Sequence, residues 1–319
     1  RADRPQKGRY REFYQCDADI VGSFSLLNEI DLIQVYAEVF NKLNIRVEIC
    51  MNHRKLLNAL ANLCGMAGRV QEITIAIDKL DKIGIEKVKE LLRLKEMNED
   101  AIRMIEGFLS INGDNKEKIL ILETLLGNDP EGKSGIEDLT YIIENLPGNC
   151  PVKIDTSLAR GLNYYTGSIF EVKALDVAMG SIGGGGRYDD LTGLFGVPGI
   201  PGVGISFGVD RIFDVMETLD NFPGEMKKGT QVLFFNTGDN ETQTITQVMQ
   251  LLRDAAISCE LLHEKSKFDK QFRYAEKKNI PFIAIIGSKE MEEKSCVIKK
   301  LESGEQVTIP QSEIVQFFN

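Results

Sequence analysis

The sequence contains no tryptophan, only two histidines and no Cys-x-x-Cys pair. His53 and His263 each stand alone, which nearly excludes histidine-based metal sites and Ser-His-Asp catalysis, so no protein-held metal is expected. The six cysteines are scattered, a pattern that fits reduced core thiols in a cytosol better than a disulfide framework. No apolar run approaches the roughly 18 residues of a membrane span, and no signal peptide is recognisable. These absences predict a cytoplasmic protein without a membrane partner.

The chain does have length and an excess of acidic residues. Its 319 residues exceed one ordinary core and predict two or three domains, and 43% hydrophobic content is typical of a globular protein. The net charge of −10 argues against nonspecific binding of nucleic acid, although it does not exclude a local basic patch. Because the chain begins at Arg1 without a methionine, its start is expected to be a processing or disorder boundary.

Residues 9–21 alternate strictly, as in a strand with two different faces. The face expected to fill the core carries Tyr14, Cys16, Ala18 and Ile20. The opposite, polar face carries Phe13, Gln15, Asp17 and Asp19. A glutamine and two short acids are unusual on an exposed sheet, so this face is interpreted as a binding face, with a solvated face as the alternative. A basic hairpin loop precedes the strand, with Arg1, Arg4, Lys7, Arg9 and Arg11.

A second stretch, Ser157 to Thr166, follows a predicted strand that delivers Arg160 to a glycine turn. A new strand is expected to begin near Tyr164. Because side chains alternate along a strand, Tyr164 and Tyr165 are predicted to point to opposite faces, one into the core and one into a site. The alternative to a site is that Arg160 lies at a strand end with its charge in solvent, beside two tyrosines that are ordinary β-forming residues.

The third stretch is a predicted strand with one face nearly stripped of side chains, which consists of Gly202, Gly204, Ser206 and Gly208. Glycine weakens a strand, so the bare face predicts that something flat lies on it, with close packing against a helix as the alternative. Arg211 follows in the first turn of a helix predicted over Val209–Leu219, where a cation calls for an anionic or aromatic partner. Before this strand, Gly183–Gly186 lack the spacing of a dinucleotide fingerprint; they predict a close approach of backbone to a ligand, or a strained turn.

Hydrophobic periodicity divides the chain into a β-based core and two other parts. Residues 54–150 have helical periodicity and form a predicted insertion between two parts of the core, residues 1–53 and 151–222. A Pro- and Gly-containing linker, Asn221 to Gly229, leads into a separate α/β domain, residues 223–319. That domain has a locally basic helix region, which includes Lys267, Lys270 and Arg273. The region is interpreted either as a solvated helix face or as a phosphate-binding patch.

The stretch Gly127 to Ser134 satisfies the Gly-x4-Gly-Lys-Ser phosphate-loop pattern. A working phosphate loop follows a strand and offers backbone N–H groups to the phosphates. Here the preceding residues are predicted to be helical, Pro130 removes a donor, and Asp129 and Glu131 add negative charge. The pattern is therefore a weak indication of a nucleotide site, and a phosphate-loop NTPase is a minor alternative that requires a strand before Gly127.

The three arginine stretches together describe a pocket for a planar base, phosphates and a small polar molecule. Their order and their residues resemble the motifs of the histidyl-tRNA synthetases, which are class II aminoacyl-tRNA synthetases. Residues 1–22 resemble the second class II motif, and residues 204–211 resemble the third. Residues 160–167 and 184–190 resemble the two histidine-specific motifs. The last domain resembles the anticodon-binding domain of this family.

The resemblance implies a fold of the α/β (α+β) class: an antiparallel-sheet catalytic core with a helical insertion, then an α/β anticodon-binding domain. It implies an ATP-dependent histidine–tRNA ligase that makes histidyl-adenylate and transfers it to the 3′ end of tRNA(His). ATP with Mg²⁺, L-histidine and tRNA(His) are the implied ligands. A homodimer through parts upstream of Arg1 is also implied.

The resemblance assigns the central chemistry to two arginines. Arg160 resembles the arginine that stabilises charge on the α-phosphate, and Arg1 resembles the one that grips the ATP α-phosphate and the histidine carboxylate. Asp19 and Tyr165 resemble the pair that reads the two imidazole nitrogens, with Tyr164 as neighbour.

Other positions resemble the family's ATP and tRNA contacts. Phe13 and Arg211 resemble the residues that sandwich adenine, and Arg9 would reach the outer phosphates. Gln15 resembles the contact to the amino group of histidine, and Gln6 would approach the acceptor end of tRNA. The implied tRNA-binding residues of the last domain are Lys267, Lys270 and Arg273.

The sequence departs from the family pattern in three places. Asn163 replaces a common aspartate, and Asp19 is shorter than the glutamate of many members. The first class II motif is not among these 319 residues, so either it exists outside them or the fold is incomplete. A noncatalytic synthetase-like regulatory or RNA-sensing module is therefore the main alternative. Such relatives often lose the arginine at position 160 or the tyrosine pair, both of which this chain keeps.

Overall fold

The computed structural model describes residues 2, 4–159, 164–223 and 229–318. The chain divides into two compact units, Arg1–Asn221 and Phe222–Asn319. The strands of the first unit are β1 (Cys16–Val21), β2 (Val47–His53), β3 (Val152–Ile154), β4 (Ser168–Ala174), β5 (Gly183–Arg187) and β6 (Gly202–Phe207). Its helices are α1 (Leu27–Lys42), α2 (Arg54–Leu63), α3 (Val70–Ile77), α4 (Leu80–Arg93), α5 (Glu99–Leu109), α6 (Asn115–Leu126), α7 (Pro130–Asn145) and α8 (Val209–Leu219).

The strands of the first unit form a six-stranded sheet in the order β1-β6-β5-β4-β2-β3. The neighbours pair antiparallel except β2 and β3, which pair parallel. The glycine-rich strands β5 and β6 lie side by side within the sheet, and β1 lies at its edge. The sheet therefore presents a floor with few side chains.

Helix α1 covers one face of this sheet because its apolar residues recur at helical spacing. Tyr36 and Phe40 are fully buried on that side, and both rings contact Phe207. The Tyr36 hydroxyl donates to the carbonyl of Gly184 on β5 at 3.0 Å and of Ser206 on β6 at 3.0 Å. The opposite face of β5 and β6 is left for the candidate site.

Helices α2 to α7 form the helical segment between β2 and β3. Helix α6 ends at Leu126, so a helix and not a strand precedes the phosphate-loop pattern. The carboxylate of Asp129 caps α7 by accepting from the backbone N–H groups of Glu131 and Gly132, at 2.9 and 3.0 Å. The backbone donors that a phosphate would need are thus already used, and a helix precedes Gly127, so the phosphate-loop alternative is wrong.

Several predicted elements differ in the structure. The edge strand β1 begins at Cys16 instead of residue 9, and Tyr14 is 78% exposed, so the prediction of one filled face is wrong. An edge strand pairs on one side only, which leaves its face less covered. The strand before Arg160 ends at Ile154, and the strand after it begins only at Ser168. Gly183–Gly186 lie in a paired strand with no positive φ, so the strained turn is wrong as well.

The second unit has a five-stranded sheet in the order β11-β10-β9-β7-β8. Its strands are β7 (Val232–Phe234), β8 (Cys259–Leu261), β9 (Phe282–Ile285), β10 (Ser295–Lys300) and β11 (Gln306–Pro310). Its helices are α9 (Asp239–Asp254), α10 (Phe268–Lys277), α11 (Ser288–Glu293) and α12 (Ile314–Phe318). Strand β7 pairs parallel with both β8 and β9. Among the described residues, no helix is both long and apolar enough to span a membrane.

Candidate active site

The candidate site lies on the face of the six-stranded sheet where cross-strand rows of small and acidic residues meet. Asp19 on β1 pairs with Gly204 on β6, and Gly204 pairs with Gly186 on β5. The next row joins Asp17, Ser206 and Gly184 in the same way. Neighbouring strands are about 4.8 Å apart, and residues two apart along a strand are separated by about 7 Å. The two rows therefore give a flat polar floor of small-molecule dimensions.

The Asp19 carboxylate occupies the space above Gly204. A Cβ atom at Gly204 would coincide with the Asp19 side chain, so glycine is required for this carboxylate to lie along the sheet. The ring of Tyr188 lies over Gly202, where a Cβ would also clash, and its hydroxyl donates to Asp19 Oδ1. The bare face of β6 is thus partly covered by two side chains of the protein itself.

Three tyrosine rings form a wall beside this carboxylate. The rings of Tyr164 and Tyr165 lie 4.9 Å apart at an interplanar angle of 67°. The rings of Tyr164 and Tyr188 lie 6.2 Å apart at 89°. The prediction that Tyr164 and Tyr165 point to opposite faces is wrong, because both precede β4 and their rings contact each other. Tyr165 also approaches Gly186, whose missing side chain makes room for the ring.

The hydroxyls of Tyr165 and Tyr188 are protonated at neutral pH, because the pKa of each is raised. Burial raises the pKa of Tyr165, and the nearby Tyr164 raises it further. Burial and the hydrogen bond to Asp19 raise the pKa of Tyr188. A carboxylate acceptor beside phenolic donors can bind a small planar ring that has one N–H group and one unprotonated nitrogen.

A cavity of about 590 Å³ adjoins the second row of the floor. Gly184 and Ser206 contribute to its lining. Five predicted ligand-binding residues also line it, namely Gln6, Arg9, Phe13, Gln15 and Arg211. Its size suits a nucleotide, since small-molecule sites are usually clefts of about 300–1,000 Å³.

Helix α8 and the hairpin loop shape this cavity together. Arg211 donates from Nε to the carbonyl of Gly8 at 2.6 Å and from Nη1 to the carbonyl of Ser181 at 2.6 Å. The Tyr10 hydroxyl donates to Asp214 Oδ2 on α8 at 2.8 Å. The two hydrogen bonds of Arg211 fix the plane of its guanidinium, and a fixed planar cation suits stacking on a base.

The hairpin loop reverses direction at Gly8. Gln6 and Arg9 exchange backbone hydrogen bonds of 3.0 and 2.9 Å, and Gly8 has a φ of 71°, which favours glycine. The backbone N–H of Tyr14 then donates to Asp210 Oδ2 at 3.1 Å. The chain is thereby attached to α8 at the turn, through Gly8, and after the turn, through Tyr10 and Tyr14.

Two predicted residues, Arg1 and Arg160, lie outside the described residues, as does Asn163. Among the described residues, the cavity is lined by the predicted ATP contacts Arg9, Phe13 and Arg211. Of the predicted imidazole-binding pair, Tyr165 belongs to the tyrosine wall and Asp19 lies beside it. Three further predicted residues, all exposed in the second unit, lie at the beginning of α10 or within it: Lys267, Lys270 and Arg273.

Comparison with known proteins decides the family. A histidyl-tRNA synthetase family model matches residues 1–212, and an anticodon-binding-domain model matches residues 231–319. The histidine–tRNA ligase of Porphyromonas gingivalis is 50% identical over 97% of this chain and 69% of its own length. The chain belongs to the histidyl-tRNA synthetase family.

Other members of the histidyl-tRNA synthetase family agree with this assignment. The histidine–tRNA ligase of Bacteroides fragilis is 49% identical over 99% of this chain and 70% of its own length. The crystal structure of histidyl-tRNA synthetase from a Nostoc species superimposes with a TM-score of 0.78 at 31% identity, covering 96% of this chain and 74% of that one. The resemblance seen in the motifs and the predicted fold class are both confirmed.

Some residues of this synthetase-family site were not singled out by the sequence pattern. Tyr188 contacts Asp19, and Arg187 and Glu29 form a buried ion pair behind it. Arg187 and Tyr188 directly follow the four glycines Gly183–Gly186. An aromatic residue next to a strand without side chains was the signal that could have identified Tyr188. Glu29 gave a signal too, as an acid within the apolar stripe of α1.

Proposed function

We propose that this chain acts as an ATP-dependent histidine–tRNA ligase. It activates L-histidine with ATP to histidyl-adenylate and transfers the histidyl group to the 3′ end of tRNA(His). The observation that carries this proposal is the row of Asp19, Gly204 and Gly186, next to a cavity of about 590 Å³ on the same sheet face. An amino acid and a nucleotide must react side by side, and the two rows of the floor supply adjacent places for them.

Histidine is held by its ring and by its polar backbone groups. Asp19 accepts from one imidazole nitrogen and Tyr165 pairs with the other, while Tyr164 packs beside them. An apolar competitor would leave these polar groups unpaired, and such discrimination can reach about 10⁴ to 10⁵. Gln15 contacts the amino group, and Arg1 and Arg160 bind the carboxylate.

ATP lies in the cavity between the hairpin and α8. Phe13 and Arg211 sandwich the adenine, and Arg9 reaches the outer phosphates. Adenylate formation is an in-line attack of the histidine carboxylate on the α-phosphorus, with pyrophosphate as the leaving group. Its barrier depends mainly on positioning and on neutralising negative charge, which assigns the catalytic roles to Arg160 and Arg1.

Mg²⁺ accompanies ATP in this proposal. Within the described part of the chain, no group of three or more His, Cys, Asp or Glu side chains could hold a metal ion. Mg²⁺ at a nucleotide usually binds the phosphates and only one or two carboxylates, so a site with few acidic side chains fits this ion. Asp210, which lines the cavity, is the carboxylate that would hold it. Bound Mg²⁺ would supply additional neutralisation of phosphate charge.

The remaining parts of the proposal concern tRNA, assembly and location. The catalytic core comprises residues 1–53 and 151–222, and the helical insertion comprises residues 54–150. Residues 223–319 bind the anticodon region through the exposed cations of α10, and Gln6 meets the acceptor end. The protein is proposed to act in the cytoplasm as a homodimer.

The test is L-histidine-dependent exchange of pyrophosphate into ATP by the purified protein. Arg160→Ala should lower the rate of the exchange with a milder loss of histidine binding, because this arginine acts on the reacting phosphate. Asp19→Ala should chiefly destroy the selection of histidine. Absence of exchange in a full-length version, with Arg160→Ala no worse, would favour the regulatory alternative.

A further inference from the structure

A fully buried acid lies within the apolar stripe of α1. Glu29 has 0% exposure, and its carboxylate accepts from Arg187 Nε and Nη2 at 2.6 Å each. Arg187 itself is only 5% exposed. Burying two charges is costly, and an apolar pair of similar size is often as stable or more stable. Stability alone therefore does not account for this ion pair.

The Arg187 guanidinium uses all of its hydrogen-bond donors. Nε and one hydrogen of Nη2 bind Glu29, and Nη2 also donates to the carbonyl of Ser25 at 3.1 Å. Nη1 donates to the carbonyl of Ser23 at 3.4 Å and to Asp189 Oδ1 at 3.2 Å. An arginine has five N–H donors in a planar fork, so this set fixes the side chain completely. We call Arg187 and Glu29 together the Arg187 hub.

The hub joins the chain segments that carry the imidazole-binding residues. The Ser23 and Ser25 carbonyls belong to the loop that follows β1 and hence Asp19. Arg187 directly precedes Tyr188, whose hydroxyl donates to Asp19. Each displacement of the guanidinium would therefore move both partners of that hydrogen bond.

The third segment reaches the hub through β4. The hydroxyl of Ser168, the first residue of β4, donates to Glu29 Oε1 at 3.2 Å. Next to Tyr165, the backbone N–H of Thr166 donates to the carbonyl of Arg187 at 2.8 Å. The Thr166 hydroxyl also donates to Asp189 Oδ2 at 2.8 Å. Tyr165 is thus tied to the same guanidinium as Asp19 and Tyr188.

We propose that Glu29 and Arg187 are positioning residues that set the distance between Asp19 and the tyrosine wall, and thereby determine the affinity for the imidazole ring. This inference rests on the proposed function, since it takes histidine as the ligand of that wall. Neither side chain touches the ligand. The pair acts from behind the sheet, on the α1 side, and its effect is confined to the histidine half of the site.

Equilibrium binding tests this inference independently of catalysis. L-histidine and ATP are titrated separately into the wild-type protein and the Glu29→Gln variant in a calorimeter. Glu29→Gln keeps the shape of the side chain but places an amide NH₂ against guanidinium donors. The dissociation constant for histidine should rise about 10- to 100-fold, since a misplacement near 1 Å can cost about that much. The dissociation constant for ATP should not change.

Two further variants separate positioning from a general loss of stability. Ser168→Ala removes a single hydrogen bond to Glu29 and should weaken histidine binding about threefold, even if Glu29→Gln does not fold. Asp138→Asn disturbs another partly buried charged cluster, with His53 and Lys55, and should lower the unfolding temperature without changing histidine affinity.

The outcomes divide cleanly. Equal loss of histidine and ATP affinity in both Glu29→Gln and Ser168→Ala, or no loss in either variant, overturns the positioning role. Wild-type protein that binds histidine but exchanges no pyrophosphate would contradict the ligase proposal, while the selective loss in the variants would still support the hub. Failure of the wild-type protein to bind histidine would overturn both.

Discussion

The two sheets of this protein differ in how much apolar side chain their central strands carry. In the first unit, β5 and β6 carry six glycines over Gly183–Gly186, Gly202 and Gly204, and on one face the vacated space is taken by polar or aromatic side chains. In the second unit, Val232–Phe234 and Phe282–Ile285 bury apolar side chains on both faces of the sheet. The first sheet therefore has one face that carries the candidate ligand site, whereas both faces of the second sheet are part of a hydrophobic core.

The energetic consequences follow from this contrast. A glycine strand contributes little apolar burial, so the first sheet depends for its stability on α1, whose Tyr36 hydroxyl binds both glycine-rich strands. The second sheet gains stability directly from its own side chains, at about 25 cal/mol for each Å² of apolar surface buried. Substitutions should accordingly damage ligand binding in the first sheet and stability in the second.

The largest expected effect on histidine activation comes from Gly204→Ala. The added methyl would occupy the position of the Asp19 carboxylate, which must then move from the floor. Catalytic efficiency for histidine should fall about 10²-fold or more. The measurement is the histidine dependence of pyrophosphate exchange. Gly148→Ala is the matched control, because its added methyl meets no atom within 4 Å; an equal loss there would contradict the contrast between the sheets.

Tyr188→Phe should have the next largest effect. It removes one hydroxyl, which donates to Asp19, and leaves the ring over Gly202. Hydrogen bonds to charged groups contribute about 1.5–3 kcal/mol, so the KM for histidine should rise at least about tenfold. Steady-state exchange kinetics measure it. Tyr141→Phe, at a tyrosine that is 42% exposed on α7, should change nothing; an unchanged KM in Tyr188→Phe would sink the assigned contact.

Ile283→Ala should reverse the pattern by damaging the second sheet alone. Ile283 on β9 is fully buried, and truncating such a residue costs about 2–5 kcal/mol of unfolding free energy. Histidine-dependent exchange at low temperature should be unaffected, because the proposed site of amino acid activation lies in the first unit. Thermal denaturation and exchange measured on the same sample check both halves. A loss of exchange comparable to that of Gly204→Ala would break the comparison.

The smallest effect on activity is expected from an acid-sensitive cluster at the end of β2, where His53 and Lys55 contact Asp138 of α7. Burial alone would raise the pKa of Asp138, but hydrogen bonds from His53 and Lys55 lower it from 3.8 to about 2. A carboxyl with a depressed pKa contributes stability above its unfolded pKa and loses it as pH falls through the folded value. The contribution is on the order of 2 kcal/mol.

Urea denaturation at a series of pH values measures this contribution. Stability should decline between about pH 4 and pH 2 in the wild-type protein, and Asp138→Asn should flatten that decline. Burial also lowers the pKa of His53, so proton uptake by the unfolded chain adds to acid sensitivity below its usual value of 6.5. A variant as acid-sensitive as the wild type would rule out this cluster as the cause.

Local patterns identified many elements closely. The helix predicted over Val209–Leu219 has those bounds in the structure, because its apolar residues recur at a period near 3.6. By contrast, β11 was missed, since its exposed residues give no buried alternation to detect.

The candidate site was only partly predictable. Ligand-facing roles for Asp19 and Arg211 came from motif resemblance, and the roles of the predicted site residues stay predictions. The ring that lies over Gly202 was expected to be a ligand, yet Tyr188 of the protein occupies that place. Which side chain covers a bare strand depends on the register between strands far apart in the chain, which no local pattern reports.

The sequence by itself determined the family, the fold class and the order of the motifs, because these depend on residue spacing along the chain. Only the tertiary structure decided that Asp19, Tyr165 and Tyr188 form one cluster and that Arg187 binds Glu29 behind it. The physical reason is that antiparallel pairing aligns residues from β1, β5 and β6 into rows. Those rows exist only once the sheet has formed.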